Sequence, residues 1–227
     1  MFATLRAKQP GASIGSLLLY RLFSGTMQVV LRTAFRLRAV DPHHVPRTGG
    51  LIIVCNHQSY LDPPAVGGII DDRRHFDFLA RVGLFTFKPF GWLISALNSI
   101  PIRGDGNDTS SIKEVLRRLD MGRAIIIFPE GGRTEDGAMQ EFKRGAALLV
   151  KRSHCPVVPA AIDGAFEAWP RAERFPRFFR HRVTVIYGAP IDHDELMKEG
   201  ADAAMARLHT EVSTLLARLR AGQAVGR

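Results

Sequence analysis

Three short apolar runs, each ending in a polar cluster, restrict what this chain can fold into. Leu51-Ile52-Ile53-Val54-Cys55 leads into Asn56-His57-Gln58-Ser59-Tyr60-Leu61-Asp62. Ser99-Ile100-Pro101-Ile102 leads into Arg103-Gly104, and Ala124 to Phe128 leads into Pro129-Glu130-Gly131-Gly132-Arg133-Thr134. Strand-length runs without polar alternation read as strands buried on both faces, the pattern of a parallel sheet. Helical periodicity separates them. Ser111-x-x-Glu114 reads as a capping box ahead of an apolar stripe at Ile112, Val115, Leu116 and Leu119, closed by Gly122. Near the C-terminus, Met205, Leu208, Val212, Leu215, Leu216 and Leu219 mark one core-facing helical side. Strands alternating with helices predict an α/β fold, a largely parallel central sheet covered by helices on both faces.

The remaining elements fit that plan. Leu37 to Val40, Phe76 to Ala80, Pro156 to Ile162 and Val183 to Tyr187 read as further strands. Pro159 predicts an edge or a bulge for its strand, because proline donates no ladder hydrogen bond. Helices are expected from about Asp62 to Ile70, opened by Pro63-Pro64, from Lys88 to Leu97, and from Phe142 to Ser153. No internal repeat or low-complexity segment interrupts the pattern. The length of 227 residues suits one core with an appendage, divided as an N-terminal segment 1–36 and a domain 37–227.

The appendage is the most membrane-like part. Ser13 to Tyr20 and Leu22 to Leu31 are apolar runs interrupted by Arg21 and followed by Arg32, Arg36 and Arg38. Each run is shorter than the roughly 20 residues that span a bilayer, and Arg21 falls inside them if they are joined. No small-residue cleavage site marks a signal peptide. The segment reads as a helix or helical hairpin in the membrane interface, its arginines reaching lipid phosphates. The competing reading is an amphipathic helix packed on the domain.

A formal net charge of +9 favours an anionic partner, whether lipid headgroups, phosphorylated substrates or nucleic acid, or else is a generic solubility charge. The two cysteines, Cys55 and Cys155, sit in or beside apolar runs, which fits buried reduced thiols in a cytosolic compartment. No Cys or His spacing of a metal site occurs. Residues Phe166 to Arg182 interleave aromatics with arginines. That composition suits an interfacial membrane patch, a stacking surface for single-stranded nucleic acid, or a plain packed loop.

His57 and Asp62, five residues apart at a strand-to-helix corner, stand where α/β proteins place ligands. An imidazole titrates near neutrality and can take a proton from a hydroxyl. A carboxylate within reach of its other nitrogen fixes the tautomer and stabilises the imidazolium. This is half a catalytic triad, with the hydroxyl left to the substrate. Ser59 lacks a G-x-S-x-G context and fits a turn-supporting hydroxyl instead. If the three strands are parallel neighbours, Arg103 and Glu130-Gly131-Gly132-Arg133 gather beside the dyad, where arginines and glycine amides can hold a phosphate. Lys143 and Arg144 either aid that phosphate or are simply solvated. The remaining histidines, His43 and His44 among them, show no partners and read as structural or exposed.

At these residues the chain resembles the glycerolipid acyltransferase family typified by 1-acylglycerol-3-phosphate O-acyltransferase. The resemblance rests on four blocks in order: NHQSYLD (Asn56 to Asp62), IPIRG (Ile100 to Gly104), FPEGGRT (Phe128 to Thr134) and VVPAAI (Val157 to Ile162). It spans about Leu37 to Pro190. One departure occurs, Gly132 standing where many members have Thr.

The resemblance implies a glycerol-3-phosphate acyltransferase-like fold and an acyl transfer without a covalent enzyme intermediate, so Cys55 is not the nucleophile. It makes His57 the general base on a lysophospholipid hydroxyl and Asp62 its partner. Arg103, Glu130, Gly131, Gly132 and Arg133 would bind the glycerol phosphate. The acyl donor is a thioester, acyl-CoA or acyl-carrier protein, with no other cofactor and no metal. The implied partner is an anionic membrane at its cytoplasmic face, met as a peripheral or monotopic protein, and not nucleic acid. Another lysolipid or lipid alcohol remains open as acceptor. From different classes come a non-catalytic basic membrane- or nucleic-acid-binding protein, which leaves His57, Asp62 and Glu130 unexplained, and a metal-dependent hydrolase, which lacks further ligands.

Overall fold

Alternation along the central strands sorts the core into two layers. Leu51, Ile53 and Cys55 point to one face of the sheet, while Ile52 and Val54 point to the other, and all five are fully buried. The computed structural model describes residues 13–70, 74–103 and 109–222. Its strands are β1 (Arg38–Val40), β2 (Leu51–Cys55), β3 (Phe76–Arg81), β4 (Ser99–Ile102), β5 (Ala124–Ile127), β6 (Val157–Asp163) and β7 (Thr184–Tyr187). They form one seven-stranded sheet in the order β1-β7-β6-β2-β5-β3-β4. From β6 to β4 every pairing is parallel, whereas β7 is antiparallel to β6 and carries β1 parallel to itself. The sheet is therefore largely parallel, as the apolar runs predict.

Helices cover both faces. On one lie α1 (Ile14–Ala34), α2 (Asp62–Gly68) and the one-turn α6 (Ala165–Ala168), and on the other α4 (Thr109–Asp120), α5 (Arg144–Ser153), α7 (His193–Met197) and α8 (Ala201–Arg220). A further helix, α3 (Lys88–Ala96), connects β3 to β4. Helix α8 buries Met205, Leu208, Val212, Leu215, Leu216 and Leu219, the side marked by its sequence period.

Three local expectations change. Pro159 lies in β6, an interior strand, and not at an edge. Its carbonyl accepts from Gly188 N at 2.8 Å, just past the last β7 residue, so its missing N–H falls where the β6–β7 ladder has already ended. The ladder resumes only at the isolated Val157–Ile191 bridge. Ser111 is not the cap of α4, which already begins at Thr109. Its hydroxyl donates to Pro101 O at 2.6 Å, and Glu114 pairs with Arg117 and Arg118.

The two N-terminal apolar runs, each too short to span and read as one helix or a helical hairpin, join into one 21-residue helix with Arg21 exposed on its surface. Among the described residues, α1 is the one helix long and apolar enough, by length and composition, to cross a membrane. Its buried residues, Leu17, Tyr20, Ser24, Gln28, Leu31 and Ala34, recur every three or four positions and pack toward α2 and α3. Tyr20 stacks on His75 at 4.2 Å, and Phe23 meets Trp92 edge-on at 5.3 Å. The opposite side stays apolar and open: Leu22 and Val29 are each 63% exposed. Residues 1–12 of the expected appendage, and Gly104 of the arginine block, lie outside the described residues.

Candidate active site

The strands from β6 to β4 run the same way, so the loops after β2, β3, β4 and β5 emerge at one edge of the sheet. The loop after β2 is the most tightly tied. Asn56 donates to Ile162 O at 2.9 Å and accepts from Ile162 N at 2.8 Å, clamping the end of β2 to β6 with a side chain in place of a ladder pair. Ser59 Oγ donates to Trp169 O at 3.0 Å and accepts from Leu61 N at 3.3 Å, so its hydroxyl supports the turn.

Asp62 opens α2 and is completely buried. Its Oδ2 accepts from His57 Nδ1 at 2.8 Å, Gln58 N at 2.5 Å and Ser59 N at 2.7 Å. A carboxylate oxygen facing two amides can only accept, so the imidazole carries its hydrogen on Nδ1. Phe128 stacks against the imidazole at 4.3 Å and 20°. The ring orientation is thus set by a carboxylate on one side and an aromatic plane on another.

The loop after β5 is laced to this one through backbone. His57 N donates to Glu130 Oε1 at 2.8 Å, Gln140 N donates to Oε2 at 3.2 Å, and Thr134 N donates to His57 O at 2.9 Å. Glu130 is 1% exposed, and its carboxylate faces main-chain amides rather than the open edge. Burial pushes its pKa from 4.5 up to about 7, outweighing the two amides that favour the anion. Gly131 has φ +69, a left-handed backbone that favours glycine, whereas a Cβ there would meet only the flexible end of the Lys143 side chain, which can move aside. Its N–H closes a turn onto Phe128 O at 3.0 Å. A Cβ at Gly132 would meet only Arg81 Nη2, at 3.6 Å, which leaves room for a side chain.

The cations lie around this frame. Arg133 is half-buried, its guanidinium carbon 3.5 Å from the Tyr60 ring centroid, and its Nη1 is buried with no hydrogen-bond partner among the described residues. Burial lowers its pKa. Arg103 is exposed at the end of β4. That strand is not a neighbour of β5, because β3 lies between them. Arg81, at the end of β3, bridges the gap by donating to Gly131 O at 2.6 Å.

The polar clusters thus share one edge, and hydrogen bonds tie the one after β2 directly to the one after β5. Sequence reasoning missed Arg81, Phe128, Tyr60 and the Asn56 clamp. Arg81 closes the run Phe76–Arg81, and a basic residue at a strand end was the available signal. Cys55 is buried, and burial together with Asp62 and Glu130 raises its pKa well above the ordinary thiol value, which keeps it a thiol. Among the described residues no group of three or more His, Cys, Asp or Glu is placed to hold a metal ion.

An imidazole held by a buried carboxylate at the carboxyl edge of a mainly parallel sheet, with Arg81, Arg103 and Arg133 on the same edge, is an arrangement able to take a proton from a substrate hydroxyl beside an anionic group. The sequence model of the Acyltransferase family matches residues 36–163, more than half of the 227-residue chain, and the chain belongs to that family. It is an acyltransferase. It is 28% identical over 147 residues to the 1-acyl-sn-glycerol-3-phosphate acyltransferase of Bacillus subtilis, covering 64% of this chain and 72% of that one. The enzyme of the same name from Streptococcus pneumoniae is 30% identical over 170 residues, 72% of this chain and 60% of its own. The chloroplast relatives from Brassica napus and Arabidopsis thaliana are matched over 34% and 33% of their length. In fold the chain is similar to the 1-acyl-sn-glycerophosphate (LPA) acyltransferase PlsC from Thermotoga maritima, with a TM-score of 0.74, 22% identity, and 91% of this chain and 80% of that one covered.

Proposed function

We propose that this acyltransferase moves a fatty acyl group from a thioester, acyl-CoA or acyl-carrier protein, to the free hydroxyl of 1-acylglycerol-3-phosphate, giving phosphatidic acid. The observation that carries the mechanism is the His57 Nδ1–Asp62 Oδ2 hydrogen bond of 2.8 Å to a fully buried carboxylate. It leaves Nε2 as the proton acceptor. The acceptor hydroxyl attacks the thioester carbonyl carbon as its proton passes to Nε2, and Asp62 stabilises the imidazolium. The tetrahedral intermediate then collapses, the carbon–sulfur bond breaks, and the thiolate takes the proton back from His57. Ester and free thiol are the products. Cys55 plays no part.

The acceptor is supported by the cations on the same edge and by the names of the relatives. Arg133, with a buried N–H lacking a partner among the described residues, and Arg103 bind the phosphate, with the Gly131–Gly132 turn beside them. Glu130 acts on His57 through the backbone and is a positioning residue. The decisive experiment offers the purified protein acyl-CoA or acyl-carrier protein and a panel of lysolipids, reading thiol release and product lipid. Phosphatidic acid formed by the wild type and lost in His57→Ala is expected. Unchanged transfer in His57→Ala overturns the mechanism, and preference for another lysolipid overturns the acceptor.

The enzyme meets its lipid at the cytoplasmic face of a membrane as a peripheral or monotopic protein, with the open side of α1 in the interface. Deleting residues 1–36 is a poor test, because Leu31, Ala34 and Phe35 belong to the core. Leu22→Ser with Val29→Ser is the sharper one, since both residues face outward. Reduced partition onto vesicles is expected, and unchanged partition overturns this placement.

A further inference from the structure

The segment of residues 170–182, between α6 and β7, buries little of what it carries. Phe175 and Phe179 are each 69% exposed and Phe178 48%. Phe179 also has φ +62, a left-handed backbone that costs a bulky L-residue of this kind energy. Its amide is held there by Ala34 O of α1 at 2.7 Å, so the strained residue is fixed and its ring presented outward. Phe178 packs its ring at 5.5 Å from Phe35, just beyond the same helix end. Arg174, Arg180 and Arg182 are exposed and make no ion pair among the described residues, and Arg174 lies 5.4 Å from the centroid of Phe175. Arg177, by contrast, is held by Glu173. The loop begins at the catalytic corner, where Trp169 accepts from Ser59 and meets Tyr60 edge-on at 5.5 Å, and where Arg171 donates to Arg133 O at 3.2 Å.

We infer that residues 170–182 form a second membrane-contact element, with Phe175 and Phe179 entering the acyl boundary of an anionic bilayer and Arg174 and Arg180 on lipid phosphates. Exposed aromatic rings flanked by unpaired arginines match the amphipathic boundary of such a bilayer, apolar below and anionic above. The loop's two anchor points then give it a use. One end touches the end of α1 and the other the catalytic corner, so lipid contact here sets the mouth of the site at the surface from which the acceptor comes. The inference rests on the membrane reading of α1 given above and adds to it a different set of residues.

The test is vesicle co-sedimentation of the full chain on phosphatidylcholine with and without phosphatidylglycerol. Phe175→Ser with Phe179→Gly removes two rings while relieving the left-handed strain, so the fold is kept or stabilised. This variant is expected to lose roughly tenfold or more in partition on both vesicle types. Arg174→Glu with Arg180→Glu, both on the surface, is expected to lose as much on the anionic vesicles and little on the zwitterionic ones. Partition within twofold of wild type in both variants overturns the inference, and loss in the charge-reversed variant alone overturns the insertion of the rings. Binding of a single-stranded oligonucleotide in place of vesicles also overturns it. Leu22→Ser with Val29→Ser, run beside them, reports on α1. Turnover of a detergent-dispersed acceptor reports on the catalytic reading, so the three failures are told apart.

Discussion

The two halves of the site are built on different principles. Around His57 and Asp62 the frame is tight: three donors converge on the carboxylate oxygen Oδ2, an aromatic ring is stacked on the imidazole, and a neighbouring loop is tied on through backbone amides, while Oδ1 is buried with no hydrogen-bond partner among the described residues. The cationic half is looser. Arg81 and Arg103 are exposed, and Arg133 is held mainly by a ring. Proton transfer requires one tautomer at one position, whereas binding a phosphate needs positive charge within reach and tolerates adjustment. The difference teaches that substitutions in the first half should act on kcat and those in the second on acceptor KM.

The largest break in that contrast is His57→Ala, which is expected to lower kcat by about 10²- to 10⁴-fold in a thiol-release assay. Asp62→Asn removes the charge that holds Nδ1–H and buries an NH2 group at the position of Oδ1, which has no hydrogen-bond partner among the described residues. It should cost a similar factor in kcat and about 1–3 kcal/mol of stability in denaturant unfolding. Glu130→Gln sharpens the comparison, because the residue lies between the halves. Positioning through the His57 amide predicts a kcat roughly tenfold lower with acceptor KM unchanged, and a raised KM alone would place Glu130 in the binding half.

Arg103→Ala should raise KM for a phosphorylated acceptor about tenfold with little change in kcat, as loss of a charged hydrogen bond to a phosphate would. Gly132→Thr is the smallest change. The space beside Arg81 admits the side chain, so melting temperature and kcat should stay within a degree or two and a factor of about two or three.

Glu130 also links the site to pH. Its folded pKa, about 7, lies above the unfolded value near 4.5 because burial disfavours the anion. The unfolded state therefore binds fewer protons between those values. The stability associated with this group is fully present below about pH 4.5 and is lost as pH rises through about 7. Melting curves of the wild type should fall relative to Glu130→Gln across that window, and parallel curves would show that the carboxyl is not so perturbed.

Much of this was legible in the residues themselves. Continuous apolar runs identified β2 and β5, and helical stripes identified α4 and α8, because burial on two faces or on one stripe leaves a local period. The dyad was legible because its spacing and its strand-to-helix corner are local too. Less legible were features whose partners are distant in the chain. Glu130 reads as a ligand residue in isolation, and only the approach of the His57 amide turns its carboxylate inward. Arg81 drew no notice, since its value comes from β3 lying between β5 and β4.

By itself, then, the sequence determined a mainly parallel α/β sheet and the pairing of His57 with Asp62 from periods and spacings within about seven residues, while the four blocks were legible through resemblance to a family. Tertiary structure alone decided the strand order that puts Arg81 between Arg103 and Gly131, and which side of α1 is buried. It also decided that Phe175 and Phe179 remain outside. Each of these depends on long-range pairing, where backbone hydrogen bonds and shape choose among surfaces that are equally apolar in sequence.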